Sequence, residues 1–525
     1  MQRNHLLLIK LITIFLLACN QQHIQATDRQ ESLTLSIHGN KVKQTIHSFG
    51  ASDAWSAQFI GKNWPREKRE QIADWLFSTS FDKDNNPKGI GLTAWRFNIG
   101  GGSAMQGKES NIPDEWRRAE SFMISPGIYD WNRHEGQRWF LKAARERGVE
   151  QFIGFVNSPP VSLTTNGLAY SSDEEHYNLP KENYLTFADY LANVVVHLSE
   201  NEEIVLQFVS PFNEPQWDWT GNSQEGTPAQ NTEIAAVTRV INDVFTKRAI
   251  SSKLELPEAA ALVYLFDQHD KPGRGSQLFA FFDPASPDYV GNLSHVAPKV
   301  AGHSYFSTWP TDILAQVRMG VSDAVKNHSR QIEFWMTEYC VLENNPQIQG
   351  NGRDLGMHTA LYASRVVFAD LVFGNAASWQ WWLGISPYDY KDGLVYTDYD
   401  KYDGEIFDSK WLWAFGNFAR FIRPGMQRVE VTRSDGLGFD ETLDEVMAAA
   451  FISPGRSKFS VVLINYSEDV VPITLNLKDL TSLDQVNYYL TDDNQGNNLA
   501  FKGEFPSDEP FQLPPRAVVT ITNLY

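Results

Sequence analysis

The sequence IVLQFVSPFNEPQ, residues 204–216, contains an apolar run that ends at a proline and is followed by a carboxyl side chain. The run 204–210 is rich in β-branched and aromatic residues and has the length of a buried strand. Proline lacks the backbone N–H that a central strand donates, so the strand should end before Pro211. Glu214 is therefore predicted to lie in the loop that follows the carboxyl end of a strand.

Seven other apolar runs resemble this one, and longer amphipathic segments separate them. The eight candidate strands are 46–52, 94–99, 151–156, 204–210, 259–266, 300–305, 332–337 and 376–382. Helical periodicity is clearest in 182–198, 232–247, 311–326 and 356–373. Eight alternating strands and helices predict the α/β class and favour a closed (β/α)8 TIM barrel over an open doubly wound sheet. The open sheet is the alternative, but no G-x-G-x-x-G follows the first strand.

The pattern changes after about Pro424 to short segments with a period of two, which are 428–432, 446–452, 459–466, 471–477 and 517–522. This alternation is typical of strands with one buried face, so a β-sandwich is predicted for 425–525. Residues 32–37 alternate in the same way. The predicted organisation is an N-terminal strand in 32–45 that completes the sandwich, a barrel in 46–424 and a C-terminal sandwich in 425–525.

The composition argues against a nucleic-acid partner. The 525 residues include 64 acidic and 45 basic side chains, a formal charge of −19, and no Lys/Arg-rich stripe offsets it. The 16 Trp, 19 Tyr and 32 Phe could stack on sugars or build a large aromatic core. No metal is expected, because Asp82, Asp84 and Asn86 begin the spacing of a calcium loop but its glycine and final glutamate are missing. No cofactor is expected either.

The N-terminus has the make-up of a signal peptide. Arg3 and Lys10 accompany an apolar run that is shorter than the roughly 20 residues of a membrane span. The run ends in LLAC, residues 16–19, which is similar to the lipobox of bacterial lipoproteins. We expect a signal peptide over 1–18, lipidation of Cys19 and a lipoprotein tether over 19–31. A plain signal peptide with an incidental cysteine is the alternative.

These features predict secretion across the inner membrane of a Gram-negative bacterium. The mature protein would be a lipoprotein of the outer membrane or cell surface, and the lipid would be its only contact with a membrane. Cys340 would be the one remaining cysteine of the mature chain, so no intramolecular disulfide is expected.

Two candidate strands are followed by glutamates. Glu214 follows the fourth strand in Asn213-Glu214-Pro215, and Glu338 follows the seventh in WMTEYC, residues 335–340. In a parallel barrel the carboxyl ends of all strands lie on one face, where the loops form the functional site. Two neighbouring carboxyl groups, one protonated and one ionised, are what retaining hydrolysis of a β-glycoside requires. The Asn-Glu-Pro sequence after an apolar strand is more specific than a glutamate alone.

The chain from about Leu33 onward resembles glycoside hydrolase family 30, whose barrels carry catalytic glutamates on strands four and seven. The similar motifs are FGAS at 49–52, RFNIGG at 96–101, TTNG at 164–167, NEPQ at 213–216, GHSY at 302–305, TE at 337–338 and FARFIRPG at 418–425. This resemblance implies that Glu214 is the acid/base and Glu338 the nucleophile. It also implies substrate-binding residues, which are Arg96, Asn157, Asn213, Trp217, His303, Tyr305 and Trp381.

The resemblance assigns each of these a task. Asn213 would hold the sugar 2-hydroxyl, His303 and Tyr305 would orient Glu338, and Trp381 would form the floor of the pocket. Arg96 would be the counter-cation of Glu338. A structural role stays open for Arg96, His303 and Tyr305. Trp379, Trp381 and Trp382 cannot all face the pocket, because side chains alternate along a strand.

Two positions depart from the family pattern: Ser103 replaces an aspartate, and Asn157 or Ser158 stands where several members have a tryptophan. Instead NEPQW at 213–217, QEG at 224–226 and GGG at 100–102 resemble the branch of endo-β-1,6-galactanases. The predicted function is retaining hydrolysis of a polysaccharide or oligosaccharide, the β-1,6-galactan side chains of arabinogalactan. A β-1,6-glucanase or xylanase of the same family and a non-catalytic glycan-binding lipoprotein are the alternatives.

The lipobox-like segment predicts that Cys19→Ala moves the protein from the membrane fraction to the soluble fraction. The substitution removes the thiol that carries the lipid and leaves the folded chain intact. Fractionation followed by mass spectrometry of the mature N-terminus measures both consequences. Unchanged membrane association, or a mature chain that starts elsewhere, would contradict the prediction.

Overall fold

The computed structural model describes residues 32–328, 331–480 and 484–525. The predicted signal peptide over 1–18, Cys19 and the tether over 19–31 lie outside the described residues. In the part of the chain that is described, no helix has both the length and the apolar character that crossing a membrane demands.

A ring of parallel strands forms the larger part of the molecule. In chain order its members are Ser48–Ser52, Ala94–Asn98, Gln151–Phe155, Leu206–Ser210, a fifth strand in the two segments Lys253–Leu254 and Pro257–Ala259, then Lys299–His303, Glu333–Glu338 and Ser378–Ser386. The eighth strand pairs with the first, and the two segments of the fifth pair with the fourth and the sixth. The predicted (β/α)8 barrel is confirmed.

Helices surround the ring. The longer ones are Ala57–Asn63, Arg66–Phe77, Glu135–Glu146, Tyr184–Glu202, Asn231–Lys247, Gln277–Phe282, Thr311–Asn327, Met357–Val372 and Lys410–Ala419. Within Tyr184–Glu202 the apolar positions recur every three or four residues, so Phe187, Leu191 and Leu198 are fully buried on one side. The helices therefore seal the outside of the ring and leave its loops free to build a site.

The predicted fifth strand, 259–266, is wrong in its position. The strand ends at Ala259, and Val263–Phe266 forms a helical turn instead. A short apolar run fits a buried strand and a buried helix equally well, so its periodicity does not distinguish them. The correction places Glu258 in the strand, where its side chain is fully buried.

A second sheet follows the barrel and includes the N-terminal strand. Its described strands are Leu33–Thr45, Gln427–Arg433, Val446–Ile452, Phe459–Asn465, Val471–Lys478, Gln485–Thr491, Ala500–Pro506, Phe511–Leu513 and Ala517–Thr522. Leu33–Thr45 pairs with Gln427–Arg433 and with Val471–Lys478. Phe505 and Phe511, from strands at opposite ends of the sheet, have ring centroids 5.3 Å apart, so the sheet closes on its own core. The predicted β-sandwich domain is confirmed.

Three of these strands, 485–491, 500–506 and 511–513, were not predicted from the pattern. Ala500–Pro506 lies at one end of the sheet and contains Gly503 and Pro506, which weaken the strand signal. Its burial alternates only in part, because an edge strand contacts one neighbour. Sequence alternation therefore missed both edge strands, 500–506 and 511–513, and the internal strand 485–491 that pairs with the first of them.

Candidate active site

A cleft of about 510 Å³ lies at the carboxyl ends of the barrel strands. Loops after most of the strands contribute side chains to it, as expected for the functional face of a barrel. The residues that line it are Trp55, Arg117, Asn213, Glu214, Trp217, Trp219, Ser223, Gln224, Tyr305, Phe306, Glu338, Cys340, Leu342, Trp382, Tyr390 and Asp392. Both predicted glutamates therefore lie in one cleft.

Glu214 is held in an unusual backbone conformation after the fourth strand. Its φ of 48° lies in the left-handed region, which costs a non-glycine residue about 1–3 kcal/mol. Hydrogen bonds fix this conformation from both sides. The Glu214 amide donates to the Glu258 carbonyl at 2.9 Å, and the amide of Trp217 donates to the Glu214 carbonyl at 3.1 Å. The indole of Trp219 donates to the same carbonyl at 3.0 Å.

Glu338 accepts two hydrogen bonds that orient its carboxylate. Arg96 Nη1 donates to Oε2 at 3.0 Å, and the Tyr305 hydroxyl donates to Oε1 at 3.1 Å. One oxygen of Glu338, one oxygen of Glu214 and a ring nitrogen of His303 lie within 4.8 Å of one another. Retaining glycosidases have carboxyl groups about 5–5.5 Å apart, and inverting enzymes need a wider gap for water. This spacing favours a nucleophile over a water-activating base.

His303 bridges two carboxyl groups. Its Nδ1 lies 2.8 Å from Glu214 Oε1, and its Nε2 lies 2.9 Å from Glu258 Oε2. Burial lowers the pKa of His303, but the charge of Glu338 and the two hydrogen bonds outweigh it and raise that pKa to about 10. The imidazole is therefore protonated near neutral pH and donates from both nitrogens.

Glu258 is the residue of this cluster that the sequence did not predict. Its carboxylate accepts hydrogen bonds from Thr337 Oγ1 at 2.6 Å and Ser210 Oγ at 2.9 Å, and Arg96 Nη2 lies 3.6 Å away. Burial opposes its ionisation, but Arg96 and His303 hold the pKa of Glu258 below its usual range. The available signal was a third glutamate near a strand end, in Leu256-Pro257-Glu258. The misplaced fifth strand concealed it.

The buried charges of the cluster balance when Glu214 is protonated. Burial raises the pKa of Glu214 to about 7, with Glu338 and Glu258 adding to the rise and His303 opposing it. Arg96 and His303 then carry two positive charges against two carboxylates. Because an unpaired buried charge is costly, the arrangement keeps one carboxyl group neutral. Glu214 is poised to give a proton and Glu338 has its oxygens oriented by donors.

The predicted pocket floor, Trp381, is wrong. Its indole is fully buried on the outer side of the strand, donates to the Asp392 carbonyl at 2.7 Å and packs on Trp411 with ring centroids 5.1 Å apart. Trp382 lines the cleft instead. Adjacent strand residues face opposite sides, so one register step decides which tryptophan meets the cleft.

The other predicted residues divide between the cleft and the shell around it. Asn213, Trp217 and Tyr305 line the cleft, whereas Arg96 and His303 contact its glutamates from behind. Asn157 does not line the cleft, so its predicted sugar contact is not supported. It is 1% exposed.

Ser103 donates hydrogen bonds to a carboxylate from a different loop. Glu225 accepts from the amides of Gly101 at 2.7 Å and Ser103 at 3.0 Å, and from the Ser103 hydroxyl at 2.6 Å. Glu225 is fully buried and adjoins Gln224, which lines the cleft. The loop after the fourth strand is therefore anchored to the loop after the second.

Comparison with known proteins finds one matching family and a similar solved structure. A family model described as O-glycosyl hydrolase family 30 matches residues 32–396. A solved structure described as a conserved exported protein from Bacteroides fragilis is 32% identical, with a TM-score of 0.87 over 93% of this chain and 100% of the other.

More distant structures share the fold. The catalytic domain of a GH30 xylanase C from Talaromyces cellulolyticus is 20% identical, with a TM-score of 0.67 over 93% of this chain and 99% of the other. An endo-β-1,6-glucanase is 16% identical, with a TM-score of 0.64 over 94% of this chain and 95% of the other.

The bridging histidine leads to a prediction about the pKa of Glu214. His303→Asn removes the positive charge but retains an amide near the position of Nδ1, so the pKa of Glu214 should rise above its value of about 7. Carboxyl ¹³C NMR titration of glutamate-labelled protein measures this, with Glu214→Gln assigning the signal. His176→Asn, at an exposed histidine, is the control and should leave the titration unchanged. An unchanged or lower pKa in His303→Asn would refute the assigned charge of His303.

Proposed function

Because this chain belongs to O-glycosyl hydrolase family 30 and is a glycoside hydrolase, we propose that Glu214 and Glu338 cleave a β-linked polysaccharide by double displacement. The observation that carries this proposal is the pair of carboxyl groups in one cleft, with an oxygen of Glu214 within 4.8 Å of an oxygen of Glu338. Their surroundings differ in the way that an acid and a nucleophile require.

In the first step a Glu338 oxygen attacks the anomeric carbon of the bound sugar. The bond from that carbon to the leaving oxygen breaks, and Glu214 gives its proton to this oxygen. Glu214 Oε1 accepts from His303, so the transferable proton resides on Oε2. The products of this step are a glycosyl ester on Glu338 and the released part of the chain.

In the second step water cleaves the ester. Glu214 is now a carboxylate, and it takes a proton from the water as the water oxygen attacks the anomeric carbon. Glu338 leaves as a carboxylate stabilised by Arg96 and Tyr305. Two inversions at one carbon return the β configuration.

Asn213 is the proposed partner of the sugar 2-hydroxyl. It lines the cleft next to Glu214, and its Oδ1 is buried with no hydrogen-bond partner among the described residues. A hydroxyl from a bound sugar would satisfy that oxygen. Such a contact strengthens as positive charge develops on the sugar ring in the transition state.

The proposed substrate is the β-1,6-galactan of arabinogalactan side chains, cleaved in its interior. The segment QEG at 224–226 supports this choice, because it resembles the endo-β-1,6-galactanase branch, Glu225 anchors it to Ser103, and Gln224 lines the cleft. A β-1,6-glucan or a xylan is the alternative within the family. A non-catalytic glycan binder is disfavoured because binding alone does not require a protonated Glu214 facing Glu338.

We also propose that the protein is exported and held by a lipid on Cys19. The sequence of residues 1–19 supports the anchor, and the similar Bacteroides fragilis protein is described as exported. An extracytoplasmic location would bring the cleft to polysaccharides that cannot enter the cell.

The two glutamates should fail differently when they are replaced. Glu338→Gln removes the nucleophile, so turnover should fall to background with every substrate. Glu214→Gln removes a proton donor that contributes about 10²- to 10⁴-fold. An aryl glycoside with an acidic phenol needs little protonation, so its ester should still form in Glu214→Gln and should then accumulate. Burst kinetics and mass spectrometry of the intact protein measure the ester.

Azide separates the two roles. It needs no general base, so it should restore turnover in Glu214→Gln and give a β-glycosyl azide. Proton NMR of the wild-type reaction should show the β-anomer first. An α-anomer appearing first would overturn double displacement, and rescue of Glu338→Gln with a β-azide would reverse the assignment of the residues.

The substrate proposal predicts that de-arabinosylated type II arabinogalactan is hydrolysed to short 1,6-linked galactose oligomers. Its turnover should exceed that of β-1,6-glucan and xylan, because residues 213–217 and 224–226 resemble the endo-β-1,6-galactanase branch and contribute Asn213, Trp217 and Gln224 to the cleft. Reducing ends released from each polysaccharide at equal mass concentration measure the preference. Faster hydrolysis of glucan or xylan would exclude galactan and leave the family assignment intact.

A further inference from the structure

A chain of aromatic rings leads out of the cleft from Trp382. The Trp382 and Trp55 rings meet edge to face with centroids 5.5 Å apart. The Arg117 guanidinium lies 5.8 Å from the Trp55 ring and 5.0 Å from the Tyr388 ring. The Tyr388 and Tyr399 rings are 5.9 Å apart. Trp55, Arg117 and Trp382 line the cleft, so Tyr388 and Tyr399 continue its wall outward.

Tyr399 is exposed but firmly held. The residue is 54% exposed. Its hydroxyl donates to Asp114 Oδ1 at 2.5 Å, and its ring packs on the buried Trp116 at 5.1 Å between centroids. A ring fixed in this way loses little conformational entropy when a ligand stacks on it.

Asp114 positions both tyrosines. Its Oδ2 accepts from the Tyr388 hydroxyl at 3.1 Å, while its Oδ1 accepts from Tyr399 and from the amide of Trp116. One carboxylate after the second strand thus aligns two rings from the loop after the eighth strand. The planes of the two rings are inclined by 56°, so each ring offers its own stacking surface to a sugar.

Arg117 supplies hydrogen-bond donors beside these rings. Its nearest carboxylate, Asp114 Oδ2, is 3.8 Å from Nε, which is beyond hydrogen-bond distance. No hydrogen bond from its guanidinium to another described residue is seen. The group is therefore available to bind sugar hydroxyls while the aromatic faces cover the apolar sides of the sugars.

We propose that Trp55, Arg117, Tyr388 and Tyr399 form a remote subsite that binds sugar units several residues from the bond being cut. This proposal rests on the proposed glycan hydrolysis and adds to it. The occupant is the same β-linked chain that enters the cleft, because the rings are continuous with the cleft wall.

The order of the barrel strands assigns this subsite to the sugars that stay attached to Glu338. The eighth strand, which carries Trp382, lies next to the Glu338 strand and next to the first strand. The leaving group must be near its proton donor, Glu214, which follows the fourth strand on the other side of the ring. A cleft that continues past the glycone accommodates an internal stretch of polymer, so the subsite implies endo cleavage.

The test compares long and short substrates. The substrates are β-1,6-galacto-oligosaccharides of two to eight units, or the matching series of the glucan or xylan if the wild type prefers it. The measured quantity is the ratio of kcat/KM for the longest to the shortest member. Tyr399→Ala should lower this ratio by about three- to tenfold, the effect of losing one aromatic stacking contact. Tyr399→Phe, which keeps the ring, should retain most of the ratio.

Tyr402→Ala is the matched control. Tyr402 belongs to the same loop and is 70% exposed, but its ring makes no contact with another ring in the described chain. The ratio should be unchanged in this variant. The remote subsite is refuted if the wild-type kcat/KM does not rise with substrate length. It is also refuted if Tyr399→Ala leaves the ratio unchanged, including the case in which kcat/KM falls equally for every length. Failure on galactan with a preserved length effect on another glycan would refute only the proposed substrate.

Discussion

The buried carboxylate of Glu258 is the constraint on which the site depends. It lies on the fifth strand and contacts Arg96 of the second, Ser210 of the fourth, His303 of the sixth and Thr337 of the seventh. A buried anion requires partners, and here the partners come from across the barrel. The same interaction that compensates this charge therefore fixes the separation of the strands that carry the two cleft glutamates.

Charge balance then makes Glu214 and Glu338 differ in their tendency to ionise. Arg96 and His303 supply two cations, so two of the three carboxyl groups can ionise without excess buried charge. Arg96 lies beside both Glu258 and Glu338, whereas the cation in contact with Glu214 is His303, which Glu214 shares with Glu258; burial raises the pKa of Glu214 to about 7. The surroundings therefore differ between two identical side chains, as they do in paired catalytic carboxyl groups.

Loops around this central cluster form the walls of the cleft. The loop after the fourth strand is anchored by Glu225, and the loop after the eighth is anchored through Asp114. Both anchors are single carboxylates that accept several hydrogen bonds, so one side chain is enough to hold each loop. The first loop contributes Gln224 to the cleft, and the second carries Tyr388 and Tyr399.

The sequence by itself determined the barrel, the sandwich with its N-terminal strand and the positions of Glu214 and Glu338. These follow from local signals, since periodicity defines a strand and the residue after it must lie at the carboxyl face. Only the tertiary structure decided that Trp382 rather than Trp381 meets the cleft, and that Glu258 joins the catalytic cluster. The first depends on strand register and the second on contacts between five separate strands. Neither is encoded in the pattern of any one segment, because both arise where the barrel brings distant residues together.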